Sequence, residues 1–576
     1  MLIDWDVPIE MNDGLVLRAD VFRPNDGERH PVIMSHGPYG KGLAFQDGFP
    51  AMWRNLETEH PDALAGSSNL YQNWETVDPE KWVPDGYVVI RVDSRGAGRS
   101  PGYLDIFSPR ETRDYYDCIE WAAVQPWSTG KVGLLGVSYY AVNQWQVAAL
   151  QPPHLAAICP WEGSSDFYRE FTHHGGILNI FCQQWYPGQV ASVQYGVENP
   201  ARSRVTGEPV AGPEVLTPEE LAKNAADTVA ELRNHPLLDE YYRERTPDLS
   251  AITVPVLSAT NWAHHLHTRG GFEGYAGVAG EQKWLEVHGL QHWVEFYTDY
   301  GVALQKRFFG HFLHGEDTGW SDQPPVFVHA RRVDGTFERR GETAWPLDRT
   351  QWTKFHLDVE GATLAPDGDS VERSTEFDAA GDGLTFWTSP LLQEMELMGP
   401  ASASLRVSSS TTDADLFLTL RVQDPDGRDV RFTSAIDPAG GIAFGWLRAS
   451  RRKTDPDRSL PYRPWHTYDE RQPLTPGAPV DVEVEIWPTS VIIPAGYRLG
   501  VSLLGRDFEF PGDGPWPVVA GVPLRGNGVF VHTDPHDRGS QEYAGTTTLY
   551  SGGAHPSYLL LPVVPAAPSV PRRSSD

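Results

Sequence analysis

The chain has 576 residues, of which 77 are acidic and 47 are Lys or Arg, so its formal net charge is −30 at pH 7. A net charge this negative disfavours nucleic acid and anionic membranes as partners, because both bind basic surfaces. No apolar run approaches the ~18 residues that a membrane-spanning helix requires, and the first residues lack the basic and apolar segments of a signal peptide. The sequence therefore predicts a cytoplasmic protein that acts neither on nucleic acid nor at a membrane.

The first half of the chain has the pattern of a parallel α/β sheet. Residues 5–23 alternate around an Asn12-Asp13-Gly14 turn and predict a β-hairpin. Continuous apolar runs bounded by Gly, Pro or Asp are typical of central strands whose two faces are covered by helices. Such runs lie at Val32–Ser35, Tyr87–Val92, Val132–Val137, Leu155–Cys159, Val254–Ala259 and Trp284–Val287. Apolar residues at helical spacing over 110–124 predict one of the covering helices.

Residues 163–250 interrupt this pattern and predict a helical lid inserted into the core. Thr217, Pro218 and Glu220 supply an N-cap, a proline at the first helical position and a capping-box acid, which predict the start of a helix. An insertion between two strands of an α/β sheet is a natural cover for an active site.

Beyond about residue 345 the chain changes to short alternating strands separated by turn clusters. This pattern predicts an all-β sandwich or jelly roll, and the Pro- and Ser-rich end of the chain predicts a disordered tail. The predicted division is an α/β core in two parts, 1–162 and 251–344, the lid at 163–250, a β jelly roll at 345–562 and the tail at 563–576.

Ser138 is the predicted nucleophile. It lies between the predicted strand Val132–Val137 and a helical stretch, and Gly136 precedes it by two residues. This is the context of a nucleophile elbow, which lifts the hydroxyl clear of the sheet and directs the next backbone N–H, that of Tyr139, at the oxyanion. The generic pattern G-x-S-x-G is incomplete because Tyr140 occupies the place of its second glycine, so a structural serine is the alternative.

Motifs spread over about residues 5–560 resemble a known family. They include Asp93–Ser100, His36–Lys41 and the run QPWSTGKVGLLGVSYYA around Ser138, followed in the β-rich part by Gly445–Ser450 and Ala495–Leu499. Together they resemble the cocaine esterase and X-Pro dipeptidyl-peptidase (CocE/NonD) group of serine hydrolases. The resemblance implies an α/β-hydrolase fold followed by a jelly-roll domain of the galactose-binding-like kind, and it implies that Tyr39 donates its hydroxyl to the oxyanion. Ala141 stands where the group's elbow has its last glycine.

His292 is the predicted general base. It follows the last predicted strand of the core, Trp284–Val287, and in α/β hydrolases the histidine comes after the nucleophile and the acid. A histidine just past the edge of the sheet can accept the serine proton. His288 is the nearest rival, but it lies at the strand end, too early for the group's pattern.

The acid is where the chain departs from the group. The group has Trp-Tyr-Asp-Gly after the preceding strand, whereas residues 261–265 read Asn-Trp-Ala-His-His and contain no carboxylate. Glu162 ends the strand that follows the elbow helix, so we expect it beside the site and prefer it as the acid. Two alternatives are open: Glu162 caps a turn or contacts the lid, or it binds a substrate ammonium group. Further candidates are Asp166, Glu273 and Glu295.

The predicted substrate pocket consists of Trp161, Phe167, Tyr168, Trp185 and His264, although such aromatic clusters are also typical of plain core. His264, His265 and His267 lie close together but lack a carboxylate or cysteine partner. Because a serine mechanism needs no metal, we predict neither a metal nor a cofactor. The three cysteines form no C-x-x-C pair and predict buried thiols; they are Cys118, Cys159 and Cys182.

These features predict a serine hydrolase that cleaves ester or amide bonds through an acyl-enzyme. An acyl esterase is the preferred interpretation, with an X-Pro dipeptidyl-peptidase or α-amino-acid ester hydrolase as the alternative. A non-catalytic binding protein on a hydrolase scaffold is the third. The expected partner is a small ester or short peptide; the acyl group, the leaving group and the oligomeric state, a homo-oligomer included, stay open.

Overall fold

The computed structural model describes residues 1–512, 516–519, 521–539 and 541–565, and these residues form two compact units. The first unit comprises Met1–Phe327 together with Pro517–Leu524 and Gly528–Arg538. The second begins at Val328 and contains the other described residues.

The first unit is built on a mixed sheet, and the part of this sheet that lies wholly in the unit has the strand order β1-β2-β4-β3-β5-β6-β9-β10. The strands are β1 (Leu2–Glu10), β2 (Val16–Arg23), β3 (His30–Gly37), β4 (Val88–Asp93), β5 (Ser128–Val137), β6 (Leu155–Trp161), β9 (Val256–Asn261) and β10 (Lys283–His288), with β7 (His173–His174) and β8 (Ile177–Leu178) forming a separate ribbon. The predicted hairpin is β1–β2, which is antiparallel, as is β2–β4. From β4 to β10 all neighbours are parallel. This is the α/β core expected from the apolar runs.

The helices of the first unit are α1 (Phe45–Gly48), α2 (Pro50–Glu59), α3 (Pro79–Trp82), α4 (Pro109–Ala123), α5 (Tyr139–Ala149), α6 (Phe181–Trp185), α7 (Pro218–Lys223), α8 (Thr228–Asn234), α9 (Glu240–Arg243), α10 (Thr268–Gly277), α11 (Asp299–Phe309) and α12 (Pro535–Arg538). Most of them lie along the connections between these strands, while α11 follows β10 and α12 lies much further along the chain. The helix predicted over 110–124 is α4, and it begins at the N-cap Ser108, whose side chain accepts from the backbone N–H of Glu111. Among the described residues, no helix is both long enough and apolar enough to cross a membrane.

The carboxyl ends of four core strands lie level with one another. Val137 of β5 is in register with Trp161 of β6, Trp161 with Ala259 of β9, and Asn261 with His288 of β10. Residues that follow these strands therefore meet at one edge of the sheet, which is where ligands bind in α/β folds.

The segment between β6 and β9 is the predicted insertion and contains the short helices α6–α9. The predicted capping box is present at the start of α7: the Thr217 side chain accepts from the Glu220 N–H, and the Glu220 side chain accepts from the Thr217 N–H. Asp227 then caps α8, so the chain restarts a helix after α7 ends at Lys223.

The second unit is all-β. Its strands are β11 (Val326–Arg331, which begins in the first unit), β12 (Phe337–Glu342), β13 (Gln351–Asp358), β14 (Thr363–Ala365), β15 (Arg373–Asp378), β16 (Leu384–Trp387), β17 (Met395–Ser409), β18 (Asp415–Gln423), β19 (Asp429–Val430), β20 (Ala443–Arg448), β21 (Val480–Ile493), β22 (Arg498–Leu504), β25 (Thr546–Ser551) and β26 (Tyr558–Val564). The main sheet runs β15-β25-β17-β21-β20-β18-β22-β16-β14-β13-β26, and β26 also pairs with β17, so the sheet closes on itself. Its pairings are antiparallel except β14–β16. Buried aliphatic and aromatic residues fill its interior.

The division of the chain differs in two places from the one predicted. The compact units separate at Phe327 and Val328 rather than at residue 344, and residues 517–524 and 528–538 return to the first unit. In this returning part, β23 (Val518–Val519) and β24 (Val522–Pro523) form a small ribbon. Val563 and Val564, assigned to the predicted tail, belong to β26, and residues 566–576 lie outside the described residues. The three cysteines are buried free thiols, as predicted.

Candidate active site

Ser138 occupies a sharp bend between β5 and α5. Its backbone is left-handed, with φ 58° and ψ −115°, a conformation that non-glycine residues rarely adopt and that is concentrated at functional sites. The Ser138 N–H donates to the carbonyl oxygens of Trp161 and Glu162, both at 3.1 Å. These bonds tie the bend to the end of the neighbouring strand and have the geometry of a nucleophile elbow.

The bend tolerates Tyr140 because glycines on both sides leave room for its ring. A Cβ on Gly37, at the end of β3, would lie 2.7 Å from Cε1 of Tyr140, and a Cβ on Gly136 would overlap Cβ of Tyr140. In the same way, a Cβ on Gly163 would lie 2.9 Å from Cβ of Ala141. The generic motif makes this space with its own second glycine. Here Gly37 on β3 and Gly163 after β6 provide it instead.

The hydroxyl of Ser138 contacts His267, which precedes α10. Oγ lies 3.0 Å from His267 Nε2, and His267 Nδ1 accepts the backbone N–H of Ser164 at 3.1 Å. Because a backbone N–H is always a donor, Nδ1 carries no proton and Nε2 must carry it. Burial lowers the pKa of His267 far below its ordinary value, with the nearby His292 acting in the same direction. His267 is thus a neutral imidazole that donates a hydrogen bond to Ser138.

His292 belongs to a buried chain of alternating imidazoles and carboxylates. Its Nδ1 lies 2.8 Å from Glu162 Oε2, and the other oxygen of Glu162 lies 2.8 Å from His288 Nε2. Nδ1 of His288 lies 2.7 Å from Glu286. At the opposite end, Nε2 of His292 lies 2.9 Å from Oε1 of Glu75. The order is therefore Glu286–His288–Glu162–His292–Glu75.

The chain of charges shifts the pKa of each member that it encloses. Burial would raise the pKa of Glu162, but His292 and His288 reverse this and lower it to about 2. Burial would lower the pKa of His292, but Glu162 and Glu75 raise it to about 9. His288, between Glu286 and Glu162, has its pKa raised against the effect of burial to about 10. Glu162 is therefore a carboxylate, and both imidazoles are stabilised as cations.

The arrangement differs from the sequence prediction in the partner of Ser138. The predicted base, His292, was expected on the serine hydroxyl; here its Nε2 meets Glu75, and His267 meets Ser138. The physical reason is that two carboxylates attract a charged imidazole more strongly than a neutral hydroxyl does. The three histidine rings nevertheless stay together, since the His292 ring centre lies 5.6 Å from that of His267 and 4.8 Å from that of His264.

Two further predicted groups lie beside the elbow. Tyr39 packs edge-on against Tyr139, with ring centres 5.9 Å apart, and its hydroxyl accepts the indole N–H of Trp185 at 3.1 Å. Burial raises the pKa of Tyr39 well above its ordinary value of 10, so the hydroxyl stays protonated and can donate a hydrogen bond. Tyr139 starts α5, and within the described residues its backbone N–H has no protein acceptor. Its side chain instead faces Glu111, to which it donates at 2.6 Å.

The predicted pocket residues separate into two groups. Trp185 and His264 contact site residues: Trp185 donates to the Tyr39 hydroxyl, and His264 packs against His292. Trp161 stacks on His288 with ring centres 5.2 Å apart. Phe167 packs against Phe107 and Phe171, and Tyr168 stacks on His173 while its hydroxyl donates to the Pro236 carbonyl. Asp166, a fallback acid, caps the turn that begins at Phe167 and pairs with Arg169.

Comparisons with known proteins agree with this fold. The family model described as X-Pro dipeptidyl-peptidase (S15 family) matches residues 13–294, and the model of the X-Pro dipeptidyl-peptidase C-terminal non-catalytic domain matches residues 318–560. The crystal structure of a CocE/NonD family hydrolase from Staphylococcus aureus is 33% identical, covers 98% of this chain and 94% of that one, and superposes with a TM-score of 0.84. This chain belongs to the CocE/NonD hydrolase family. Among curated relatives, a cocaine esterase from Rhodococcus is 24% identical over 97% of this chain and 98% of its own length. A putative serine esterase from Mycobacterium bovis is 23% identical, with 87% and 90% covered.

Three histidines of this CocE/NonD hydrolase have the spacing of metal ligands. One ring nitrogen of each of His264, His267 and His292 lies within 4.8 Å of the others. However, His264 Nδ1 accepts the Leu266 N–H at 3.1 Å, just as His267 Nδ1 accepts that of Ser164, so both Nε2 atoms carry protons. Both nitrogens of His292 face carboxylates. Among the described residues, this donor set therefore offers a metal ion no free imidazole lone pair.

Sequence reasoning missed Glu75 and assigned no serine contact to His267. Glu75 lies between β3 and β4 in a segment that carries no recognised motif, so no signal in the sequence singled it out. In the sequence His267 stands out only as one of three closely spaced histidines, although it follows the strand end where the family places its acid.

Proposed function

We propose that this hydrolase cleaves carboxylic esters by a two-step acyl transfer on Ser138. The observation that carries the proposal is the left-handed serine at the end of β5 beside a His292–Glu162 pair whose side chains are buried. In the first step, Ser138 Oγ bonds to the ester carbonyl carbon while its proton passes to Nε2 of His292, and the alcohol leaves with that proton. Water then releases the acid by the same route.

Glu162 orients His292 and stabilises the cation that forms on it. Both of its carboxylate oxygens are occupied by imidazoles, so neither is available to a substrate ammonium group. This favours the triad acid over the ammonium-binding alternative for Glu162. His267 is not proposed as the base. A second proton on this imidazole would have to lie on Nδ1, where it would face the N–H of Ser164, which is also a donor.

The oxyanion is proposed to rest on two donors, the N–H of Tyr139 and the hydroxyl of Tyr39. The N–H is free because it belongs to the first turn of α5, and the hydroxyl is polarised by the bond it accepts from Trp185. Nε2–H of His267 would add a donor to Oγ itself, holding the serine oxygen while its proton leaves.

A peptidase or amino-acid ester hydrolase is the second candidate. It is favoured by one observation: Oε2 of Glu75 is buried and has no hydrogen-bond partner among the described residues, which would suit a free amine. A panel of p-nitrophenyl esters and dipeptidyl p-nitroanilides separates the two, with Ser138→Ala as the control. We expect ester hydrolysis that needs no free amine and disappears in Ser138→Ala; activity that survives this substitution contradicts the proposed function.

We further propose a cytoplasmic location and small-molecule substrates. Three buried free thiols suit a reducing compartment, and the net charge of −30 opposes binding to nucleic acid or anionic lipid. Cell fractionation and a liposome sedimentation assay test both, and light scattering determines whether the protein is a homo-oligomer.

A further inference from the structure

Glu75 shares an unusual backbone conformation with the two predicted catalytic residues beside it. Its φ is 61°, compared with 58° for Ser138 and 52° for Glu162. A left-handed backbone at a residue that is not glycine is unfavourable by about 1–3 kcal/mol and persists only where the surroundings enforce it. Three such residues thus direct their side chains into one cluster.

The main chain of Glu75 is tied directly to the elbow. Its carbonyl oxygen accepts the N–H of Val137 at 3.0 Å, and Val137 immediately precedes Ser138. Glu162 is tied in the corresponding way, because its carbonyl accepts the Ser138 N–H. The two carboxylates therefore approach His292 from opposite sides of the same bend, with fixed backbones.

The side chain of Glu75 is hydrogen-bonded to Nε2 of His292, the nitrogen that the base must use. Its Oε1 lies 2.9 Å from His292 Nε2, and the side chain is only 4% exposed. While that bond is present, the Nε2 lone pair is unavailable to the serine hydroxyl. Some exchange of partners has to precede the attack by Ser138.

We propose that Glu75 is a fourth functional group of this active site, which holds Nε2 of His292 in the resting enzyme and takes its proton to release the base. This inference rests on the proposed function, in which His292 is the base. The step is internally balanced: the N–H bond at Nε2 breaks, an O–H bond forms at Oε1, and the pair keeps the same total charge. The lone pair left on Nε2 then accepts the Ser138 proton.

The electrostatic environment supports this exchange. Burial raises the pKa of Glu75 to about 7, although the bond to His292 opposes the rise, so a neutral carboxyl is accessible near neutral pH. The other titratable groups facing the pair are Glu162, His264, His267, Tyr39, Tyr140 and Tyr297. Of these, only Glu162 is a carboxylate, and it stays ionised on the far nitrogen of His292.

The pH dependence of kcat/KM for p-nitrophenyl acetate, a substrate without an amine, tests the role of Glu75. Below the pKa of His292, Nε2 is free only in the pairs whose proton lies on Glu75, whereas above that pKa it is free in every pair; wild-type activity should therefore rise with pH from a low plateau. Glu75→Gln cannot take the proton and removes a charge that raises the pKa of His292, so we expect its rising limb to move to lower pH and to have no plateau. Below its limb the variant should lose activity about tenfold per pH unit, whereas the wild type should level off.

Glu111→Gln is the matched control. Glu111 is also a buried glutamate whose pKa is raised to about 7, but it contacts Tyr139 and Phe107 rather than an imidazole. Whatever this substitution does to the rate, the limb should stay at the wild-type pH. A limb that is unchanged in Glu75→Gln overturns the inference.

Should Glu75→Gln fail to fold, ¹⁵N NMR of imidazole-labelled Ser138→Ala protein gives the same answer. The His292 signals are assigned by their loss when His292→Gln is added, and we expect both of its ring nitrogens to stay protonated well above pH 7; a His292 signal that titrates at its ordinary pH near 6.5 overturns the inference. Because this measurement needs no catalysis, it is independent of the proposed function. Ester hydrolysis by Ser138→Ala would instead count against the proposed function.

Discussion

At the scale of single residues, the site assigns opposite tasks to two histidines that look alike in the sequence. His292 faces carboxylates on both nitrogens and is stabilised as a cation, whereas His267 faces a backbone N–H on one nitrogen and is kept neutral. A general base must be stabilised when protonated, and of these two histidines only His292 is, which is why we propose it as the base. For His267 we propose the role of a hydrogen-bond donor to Ser138.

Glutamine substitutions distinguish these roles, because the side-chain amide of Gln can place an N–H close to where Nε2–H of histidine lies. We expect His267→Gln to retain kcat/KM within about tenfold, while His267→Ala loses about 10²–10³-fold, as removal of an oxyanion donor does. His292→Gln should lose at least ~10⁴-fold. Equal loss in His267→Gln and His292→Gln, measured by ester hydrolysis, would identify His267 as a base after all.

His288 tests the outer part of the buried chain. His288→Asn leaves Glu286 and one oxygen of Glu162 without the partner they have now, and uncompensated buried charge is unfavourable by about 3–5 kcal/mol. The folded pKa of His288 is raised to about 10, so its contribution to stability is fully present below about pH 6.5 and is lost as the pH rises through 10. We expect the lowered urea midpoint to approach that of the wild type between pH 7 and 10.

The exposed His555, which contacts Asp481 in the second unit, provides the control for this substitution. His555→Asn should leave the urea midpoint within the error of the wild type at every pH. A deficit in His288→Asn that is constant with pH would show that the imidazolium of His288 does not contribute through its charge.

At the scale of elements, the elbow depends on space provided by neighbouring strands. Gly37→Ala places a methyl group against the Tyr140 ring, and overpacking of this kind destabilises by about 1–3 kcal/mol. Tyr140→Ala removes the ring that the methyl group would meet. We expect the two substitutions together to destabilise less than the sum of the single effects, with a coupling of about 1 kcal/mol or more in thermal unfolding. Strict additivity would contradict the account of why the elbow accepts a tyrosine.

Local patterns predicted this part of the molecule well. The apolar runs predicted the core strands, and the position of Ser138 after β5 and of Glu162 after β6 follows from strand order alone. The hydrogen-bond partners could not be predicted, because they depend on side chains brought together by β3, β6, β9 and β10. Glu75 illustrates the limit: its place is set by a backbone bond to Val137 and a left-handed φ, and neither has a sequence signature.

At the scale of the whole molecule, the first unit is not one continuous stretch of sequence. Residues 528–538 follow most of the β-rich sequence but belong to the first unit. There Phe530 packs against His264, with ring centres 5.2 Å apart, and buried Asp534 pairs with Arg233 at 3.0 Å and with Gln183. The sequence pattern predicts this segment as part of the jelly roll, because a segment this short has no hydrophobic periodicity that would link it to the first unit.

Asp534→Ala should therefore destabilise the first unit even though it lies far along the chain. Loss of a buried carboxylate that pairs with Arg233 leaves a partly buried cation without a partner, and we expect a fall of several degrees in the thermal midpoint. The control is Asp457→Ala, on the exposed surface of the second unit, which should have no effect. Identical midpoints for the two variants would show that residues 528–538 add nothing to the stability of the first unit.

The proposed pairing of Ser138 with His292 is tested most directly by labelling with a fluorophosphonate, followed by mass spectrometry of the peptide that carries Ser138. We expect one adduct per wild-type chain, located on Ser138. Labelling should be abolished in Ser138→Ala, slowed by orders of magnitude in His292→Gln, and close to the wild-type rate in His267→Gln. An adduct on another residue, or unchanged labelling of His292→Gln, would contradict the account.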